Sequence, residues 1–562
     1  MSKALFTFTI GPVKSLVENG RKMDDLYAGS QLLSELTRCA VEFIEGNEGR
    51  ATKVEMIFPP ASESFEGLPN RLVADIENYD EEQHRQLAKQ LTKRVKDKFK
   101  EIYEAELSKL QNIPSNKLKI AYEQLEHFLE IYWLFEPYQS DEEYSEAYQK
   151  MFRNLHVIKS VRPFKQLNEP CGRKCSLHSE YNGMFVQKGN APLHINDTSK
   201  IEIPENLKHQ IKSNEALSAI AMVKRLYDNK TNKRISQRDM VFKKTLNDDK
   251  WYEENIKKKD DRTITQLTNA VYDVWTNKQL KYDPLKHEYL EETLEEAKEL
   301  IKELKKDKPN FKVQQYYTLL KFDGDEMGAK YQYLKKNQHK ELSEKICEFA
   351  NKATKMIEEA GGICVYAGGE DVLTVVPLEE IWILLERLHE MFGEVVSVEG
   401  QERFTFSAGI AIAHLMQPLK DVMYQVSEAE KYAKAFEGKN SFAISLMKRG
   451  SETRTIRYSF ANKYEQLEAF KNLVNQFKID TNSKTFIYEI SQVLQTLSPD
   501  VDQKMVKELM RQSLKSKKVA SIDKILNRLE TLSKNENTAN LINMLNVVGF
   551  LSKEVQRNDV QN

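Results

Sequence analysis

Residues 365–376 read VYAGGEDVLTVV, two apolar runs joined through a pair of glycines. Such a pattern is a β-hairpin. What surrounds it restricts the fold further. VQQYYTLLKFDGDEMG reads as a strand ending in acids, and LSEKICEFANKATKMIEEAGG as a helix stopped by glycine. After the hairpin come the helix LEEIWILLERLHEMFGEVV, the strand RFTFSAGIAIAH, the helix PLKDVMYQVSEAEKYAKAFEG and a last strand, SFAISLM. The first six elements run β-α-β-β-α-β, the ferredoxin-like order. Its first strand lies beside the second hairpin strand. Asp323, at the end of YTLLKFDGD, therefore comes close to Glu370 and Asp371 in the turn.

Three carboxylates at one sheet edge repel one another and raise each other's pKa. A divalent cation removes the conflict, and Mg²⁺ suits few carboxylates combined with substrate phosphates. Palm domains of polymerases and nucleotide cyclases share this element order, as do many non-enzymes. The chemistry that fits is nucleotidyl transfer. One ion lowers the pKa of the attacking hydroxyl while a second holds the triphosphate. Gly368 and Gly369 carry no side chains, so a nucleotide can lie against the turn. Ser407, on the following strand, reads either as a base or ribose contact or as a small packed residue. Lys434 reads either as a triphosphate ligand or as a solvated lysine at a helix C-terminus. Asp325 and Glu326 stay open between ligand, turn acid and helix N-terminal charge.

The remainder is soluble in character. Of 562 residues, 30% are charged, and the net charge of -1 excludes a chain-wide electrostatic nucleic-acid binder. No apolar run is long enough to span a bilayer, and MSKALFTFTIGPV lacks the form of a signal peptide, so a cytoplasmic protein without membrane contact is expected. Five cysteines, an odd number, argue against a disulfide framework. CGRKCSLH places Cys171, Cys175 and His178 in a glycine-rich loop at 168–182, with His194 a candidate fourth ligand. That set reads either as a structural Zn²⁺ site or as reduced thiols in a loop. The fold class expected is α+β. The domains expected are 1–200 (a strand–helix–strand domain with a helical insertion over about 80–160, including HFLEIYWLF), 201–310 (helical), 311–450 (the GGED domain) and 451–562 (all helical).

FTFTIGPVKSLVENGRKMDDLYAGSQLLSEL closely resembles the opening of the large, polymerase-like subunit of type III-B CRISPR effector complexes. IFPP and GLPNR fit the loops that follow in that family, CGRKCSLHSEYNG its zinc-binding loop, and FDGDEMG, YAGGEDVL, FSAGIAIAH and AEKYAKAF its second palm domain. The resemblance implies two ferredoxin-like palm domains holding two ATP molecules between them. Asp323, Glu370 and Asp371 inherit the Mg²⁺ or Mn²⁺ site, and Gly29 and Ser30 face the other nucleotide. It implies partner subunits, a guide RNA and activation by target RNA. The products implied are cyclic oligoadenylates, or an AMP conjugate when S-adenosylmethionine is the co-substrate. The family's turn is usually Gly-Gly-Asp-Asp, so Glu370 is a departure that bears on metal geometry and product choice. Many relatives begin with an HD nuclease domain. This chain begins at the palm strand and contains no His-Asp dipeptide, so DNase activity is not expected. A different class of reading is a catalytically silent scaffold that binds guide RNA and sister subunits. A free-standing diguanylate cyclase is disfavoured by the two-palm organisation.

Overall fold

The computed structural model describes residues 3–555, apart from 47–52, 61–66, 79, 162–166, 170, 190–191, 228–235, 257–260, 278–279, 283–288, 290, 310, 451, 480, 498–501 and 534–537. Two β-sheets organise it. β1 (Lys3–Gly11), β2 (Val54–Phe58), β3 (Arg71–Glu77) and β4 (Glu130–Tyr138) form an antiparallel sheet in the order β2-β3-β1-β4. The helix Met23–Glu45 joins β1 to β2, and the helices Glu81–Ser108 and Ser115–Glu126 join β3 to β4. This too is the ferredoxin-like order.

β4 corrects the helical reading of HFLEIYWLF. The segment EIYWLFEPY is rich in aromatic and β-branched residues, and Pro137 is incompatible with a helix interior but tolerated on an edge strand. The boundary expected at 200 also moves. β5 (Phe185–Gln187) and β6 (Ile201–Ile203) form a small parallel pair, and the helix Ala219–Leu226 packs back into the first core. Its Arg225 forms a buried ion pair with Asp25 of the Met23–Glu45 helix.

The second sheet contains β7 (Tyr316–Gly324), β8 (Ile363–Ala367), β9 (Asp371–Pro377), β10 (Phe406–His414), β11 (Ser441–Met447) and β12 (Arg454–Ser459), in the order β12-β11-β10-β7-β9-β8. Strand period two decides what each face meets. Leu320 and Phe322 pack beneath the helices Lys336–Glu359 and Ile381–Val395. Tyr317 and Leu319 face the helix Leu419–Lys434 and residues of the 237–307 helices. Those helices thus cover a sheet face rather than forming a core of their own. β12 was not expected: 454–459 lies in the stretch read as helical, yet RTIRYS alternates and pairs antiparallel with β11.

Helices Ala461–Ile479, Thr481–Gln495, Gln503–Ser516, Ile522–Ser533 and Thr538–Glu554 follow, with Phe470, Phe486 and Leu545 in the second sheet's core. The first of these carries three consecutive left-handed residues, Asn462, Lys463 and Tyr464 (φ 54, 55 and 63°). The two sheets meet through apolar contacts, Met23 and Leu26 with Val365 and Leu373, and along a row of ion pairs. Lys336 pairs with Glu55 (2.5 Å) and Asp75, Lys340 pairs with Glu55, and Lys321 pairs with Glu18 (3.1 Å).

Candidate active site

Asp323 and Asp371 are direct cross-strand partners on β7 and β9. The Gly324 N–H donates to Glu370 O at 3.2 Å and closes the turn onto the strand end. Lys434 Nζ donates to the Asp323 carboxylate and also reaches Glu430 at 2.9 Å. Glu430 in turn lies 3.5 Å from Lys321. Two packing features bring the Leu419–Lys434 helix low enough for this. A Cβ on Gly409 would stand 2.4 Å from Val426 O and Glu430 N, and Ala429, Ala433 and Ala443 form a small-residue contact beside it. Glycine is therefore required at 409 by the helix's close approach. Sequence reasoning missed Lys321 and Glu430. The signal available was Lys321 two residues before Asp323 on one strand face, and Glu430 one helical turn before Lys434.

Burial raises the carboxyl of Asp323 above its ordinary value, against the opposing charge of Lys434. Asp371 is pushed up to about 7 by burial, with Lys321 opposing and Asp323 adding to the rise. Its Oδ1 is buried without a hydrogen-bond partner among the described residues. Lys321 is itself raised: burial works against its charge, but Glu18, Asp371 and Glu430 outweigh burial.

The expected trio resolves into a pair and an outlier. Glu370 lies in the turn, one residue before β9 begins. Burial raises Glu370 too, with Asp323 adding and Arg71 and Lys434 opposing, and its charge also acts on Tyr148, Tyr331 and Cys347. Among the described residues no three His, Cys, Asp or Glu side chains converge to hold a metal ion. The Asp323–Asp371 pair, with its orphaned buried oxygen, is a hard-oxygen donor set. It fits Mg²⁺ or Mn²⁺ bound by two carboxylates plus phosphate.

Asp325, left open by the sequence, turns inward. Its carboxylate accepts from Ser407 Oγ (2.7 Å), Thr405 Oγ1 (2.9 Å) and the Asn440 N–H (3.0 Å). Ser407 is fully buried, so its hydroxyl anchors Asp325 instead of meeting a base or ribose. The polar chain continues outward. Asn440 Oδ1 lies 2.7 Å from His389 Nε2, and His389 Nδ1 lies 2.8 Å from the Tyr464 hydroxyl. The loop beside Asp323 is thereby tied to the left-handed kink that opens the C-terminal helices.

The glycines serve packing first. A Cβ on Gly368 would fall 1.7 Å from the Tyr366 hydroxyl, and Gly369 sits at φ +112°. A Cβ on Gly29 would stand 2.1 Å from Leu16 O, so the helix crossing requires glycine there. Ser30 does line an open space. A cleft of 680 Å³ lies between the Met23–Glu45 helix, β8 and the helices at 237–255, bordered by Ser30, Gln31, Lys243, Lys244, Tyr366 and Ala367 among others. That volume suits a small-molecule ligand.

The zinc reading is not supported by the loop's geometry. Cys171 is exposed, whereas Cys175 is buried with its Sγ accepting the N–H groups of Leu177, His178 and Ser218. His178 Nε2 lies 3.0 Å from Ser15 O, and His194 is exposed at φ 67°. Backbone hydrogen bonds to Cys175 Sγ and His178 hold this loop as described.

With the geometry in place, comparison with known proteins identifies the fold. The sequence profile described as "Cas10/Cmr2, second palm domain" matches residues 316–443, and that of "CRISPR-associated protein Cmr2, N-terminal" matches 5–104. "CRISPR system Cmr subunit Cmr2" of Pyrococcus furiosus is 23% identical, over 79% of this chain and 61% of its own length. The chain thus spans about three fifths of that curated relative. The apo cryo-EM structure of type III-B Cmr-beta contains a chain that aligns over 98% of this one and 82% of its own length, with TM-score 0.65 and 11% identity. A Csm1-Csm4 cassette crystallised with pppApApA aligns over 98% of this chain and 69% of its own, with TM-score 0.51 and 13% identity. The two profiles match in chain order, one on each sheet, and over those residues the chain is similar to Cas10/Cmr2 proteins.

Proposed function

We propose that this chain is the target-RNA-activated nucleotidyltransferase of a type III-B CRISPR ribonucleoprotein. It uses ATP and a divalent cation to make a signalling nucleotide, either a cyclic oligoadenylate or an AMP conjugate of S-adenosylmethionine. Its sister subunits, guide RNA and target RNA meet it within that complex. The observation that carries the reading is the register of Asp323 against Asp371, with an unsatisfied buried oxygen on the latter.

In this reading Asp323 and Asp371 hold the ion, which when bound neutralises phosphate charge and lowers the pKa of the attacking hydroxyl. A ribose hydroxyl attacks the α-phosphorus of ATP and pyrophosphate leaves. Lys434, held on Asp323 without substrate, turns to the triphosphate, while Glu430 keeps its ammonium within reach. Asp325 fixes the loop that carries Asp323. Ser30 borders the adjoining cleft where a second nucleotide fits.

The scaffold reading has one observation in its favour: no third carboxylate converges with the pair among the described residues. The test is to incubate the assembled complex with ATP and Mg²⁺ or Mn²⁺, with and without matched target RNA, and with S-adenosylmethionine in one arm. Mass spectrometry identifies the product. A product that depends on target RNA and disappears in an Asp323→Ala/Asp371→Ala variant supports the enzyme. No adenylated product in any arm leaves the scaffold.

A further inference from the structure

His389 sits on the helix Ile381–Val395 and touches neither carboxylate of the pair, yet two routes lead from its ring to the residues that flank Asp323. The first is polar. Asn440 Oδ1 can only accept, so the His389 Nε2–H donates to it at 2.7 Å, and His389 Nδ1 accepts from the Tyr464 hydroxyl at 2.8 Å. Burial keeps the ring neutral, as an accepting Nδ1 requires. The Asn440 N–H then donates to the Asp325 carboxylate at 3.0 Å, and Asn440 O accepts from the Phe460 N–H at 2.9 Å. The second route is aromatic. The His389 ring stacks on Phe460 at 4.0 Å between centroids and meets Phe406 edge-on at 5.1 Å. Phe406 stacks on Phe322 at 4.2 Å. Phe322 immediately precedes Asp323, and Asp325 lies two residues beyond it. Ser407, which holds Asp325, is also the cross-strand partner of Asp323.

The backbone along this path is costly. Glu326, Lys439, Asn440, Asn462, Lys463 and Tyr464 all lie in the left-handed region, with φ between 47 and 63°. Non-glycine residues persist there only where their surroundings over-determine them. Two of these three stretches meet directly, Lys439 Nζ lying 3.6 Å from Glu326. The third opens the C-terminal helices. Its helix, Ala461–Ile479, is fixed to that of His389 by the Lys471–Glu386 ion pair (2.7 Å) and by Trp382 against Phe470. A satisfied polar chain specifies one orientation for each member, which an apolar contact does not. A shift of the Ala461–Ile479 helix therefore reaches Tyr464, then His389, then the residues on both sides of Asp323.

We propose that His389 is a positioning residue: held between Tyr464 and Asn440, it makes the placement of the Asp323 carboxylate depend on how the first C-terminal helix is seated. This deepens the nucleotidyl-transfer reading and rests on it for what Asp323 does.

The test is hydrogen exchange of the full chain read by mass spectrometry, together with Mn²⁺ titration followed by electron paramagnetic resonance. The reporters are the Gly324 and Asp325 amides, which donate to Glu370 O and Thr405 O (3.2 and 2.8 Å), with the amides of 410–413 in β10 as reference. The variants are Tyr464→Phe, His389→Leu and His389→Gln. Tyr289→Phe, which loses a buried hydroxyl bonded to Asp273 outside this path, is the control. Tyr464→Phe and His389→Leu are expected to speed exchange at 324–325 about tenfold, the scale of one lost hydrogen bond, with β10 unmoved. They weaken Mn²⁺ about tenfold, as loss of an outer support of a metal ligand does. His389→Gln, which keeps an N–H for Asn440, retains most of both, and Tyr289→Phe changes neither. Unchanged exchange at 324–325 in Tyr464→Phe and His389→Leu overturns the proposal. So does exchange that rises equally in β10, which marks a general loss of stability. If Mn²⁺ binds wild type and Asp323→Asn/Asp371→Asn alike, the nucleotidyl-transfer reading falls, while local exchange at 324–325 still upholds or overturns the positioning role.

Discussion

Asp323 and Asp371 stand opposite each other on neighbouring strands, but among the described residues only Asp323 has a cation hydrogen-bonded to it. Lys434 supplies that charge from a helix that Gly409 allows to sit close. Lys434→Met leaves two half-buried carboxylates facing each other without it. The variant is expected to lose about tenfold or more in synthesis rate, the scale of one charge-assisted contact. Lys434→Arg retains part of the activity. Initial rates of nucleotide product by the complex, read with circular dichroism of the variants, check this.

The raised carboxyl of Asp371 also has a cost to folding. A folded-state value of about 7 against an unfolded value near 3.8 means the unfolded chain releases this proton more readily. Stability is therefore lost as pH rises from about 4 through about 7. Asp371→Asn removes that penalty, so the variant should melt higher than wild type at pH 8 in EDTA. Mn²⁺ should raise the melting temperature of wild type and leave the variant unmoved. Thermal scans with and without Mn²⁺ decide it; a variant that melts lower in EDTA would count against the account.

Asp325 and Ser407 separate structure from substrate contact. Asp325→Ala removes the acceptor of three hydrogen bonds, and a loss of about 2–4 kcal/mol is expected from stranding their buried donors. Ser407→Ala should cost about 1 kcal/mol and leave nucleotide affinity unchanged. Urea titration and AMPPNP binding measure the two quantities. A Ser407→Ala variant of normal stability and weakened AMPPNP binding would restore the nucleotide-contact role.

Three deeply buried histidines set an acid limit. Burial lowers His178 to about 3 and His339 and His389 to about 4, from an ordinary 6.5. Their neutral forms belong to the folded state, so stability is full above pH 6.5 and falls as pH drops toward 4. Each contributes about 1.4 kcal/mol per pH unit once the unfolded imidazole is fully protonated. Denaturant midpoints should therefore fall steeply between pH 6 and pH 5, and His389→Asn should flatten the decline. Urea unfolding followed by fluorescence at each pH tests it.

The ferredoxin-like order and the meeting of Asp323 with Asp371 were legible because hairpin glycines and strand period two leave little freedom. Lys434 was legible as a candidate, but its partner was not, because that depends on how closely a helix seats on Gly409. Asp325 could not be assigned, since the first residue past a strand turns either way. Glu370 could not be placed from the sequence, since it sits in the turn just before β9, outside the register that fixes Asp371. β4 was mistaken for helix because IYWLF suits a buried face of either kind until Pro137 is weighed. The cysteine loop was not legible for a different reason: cysteine spacing does not show whether two thiols face each other, and here one is exposed and the other enclosed by backbone N–H groups.

The seam between the sheets assigns its charges by side. Lys321, Lys336 and Lys340 come from the second half, and Glu18, Glu55 and Asp75 from the first. Such an arrangement behaves as a polarised plug and socket. The two halves of one chain, or of two chains, attract in a single sense, while first half against first half repels. The seam's ion pairs are open to ionic strength, whereas the apolar contacts of Met23 and Leu26 with Val365 and Leu373, and of Tyr148 with Tyr331, are not. A polyanion arriving near those lysines would compete directly with Glu18, Glu55 and Asp75 for them, so the angle between the sheets is where an electrostatic signal has the shortest path into this molecule.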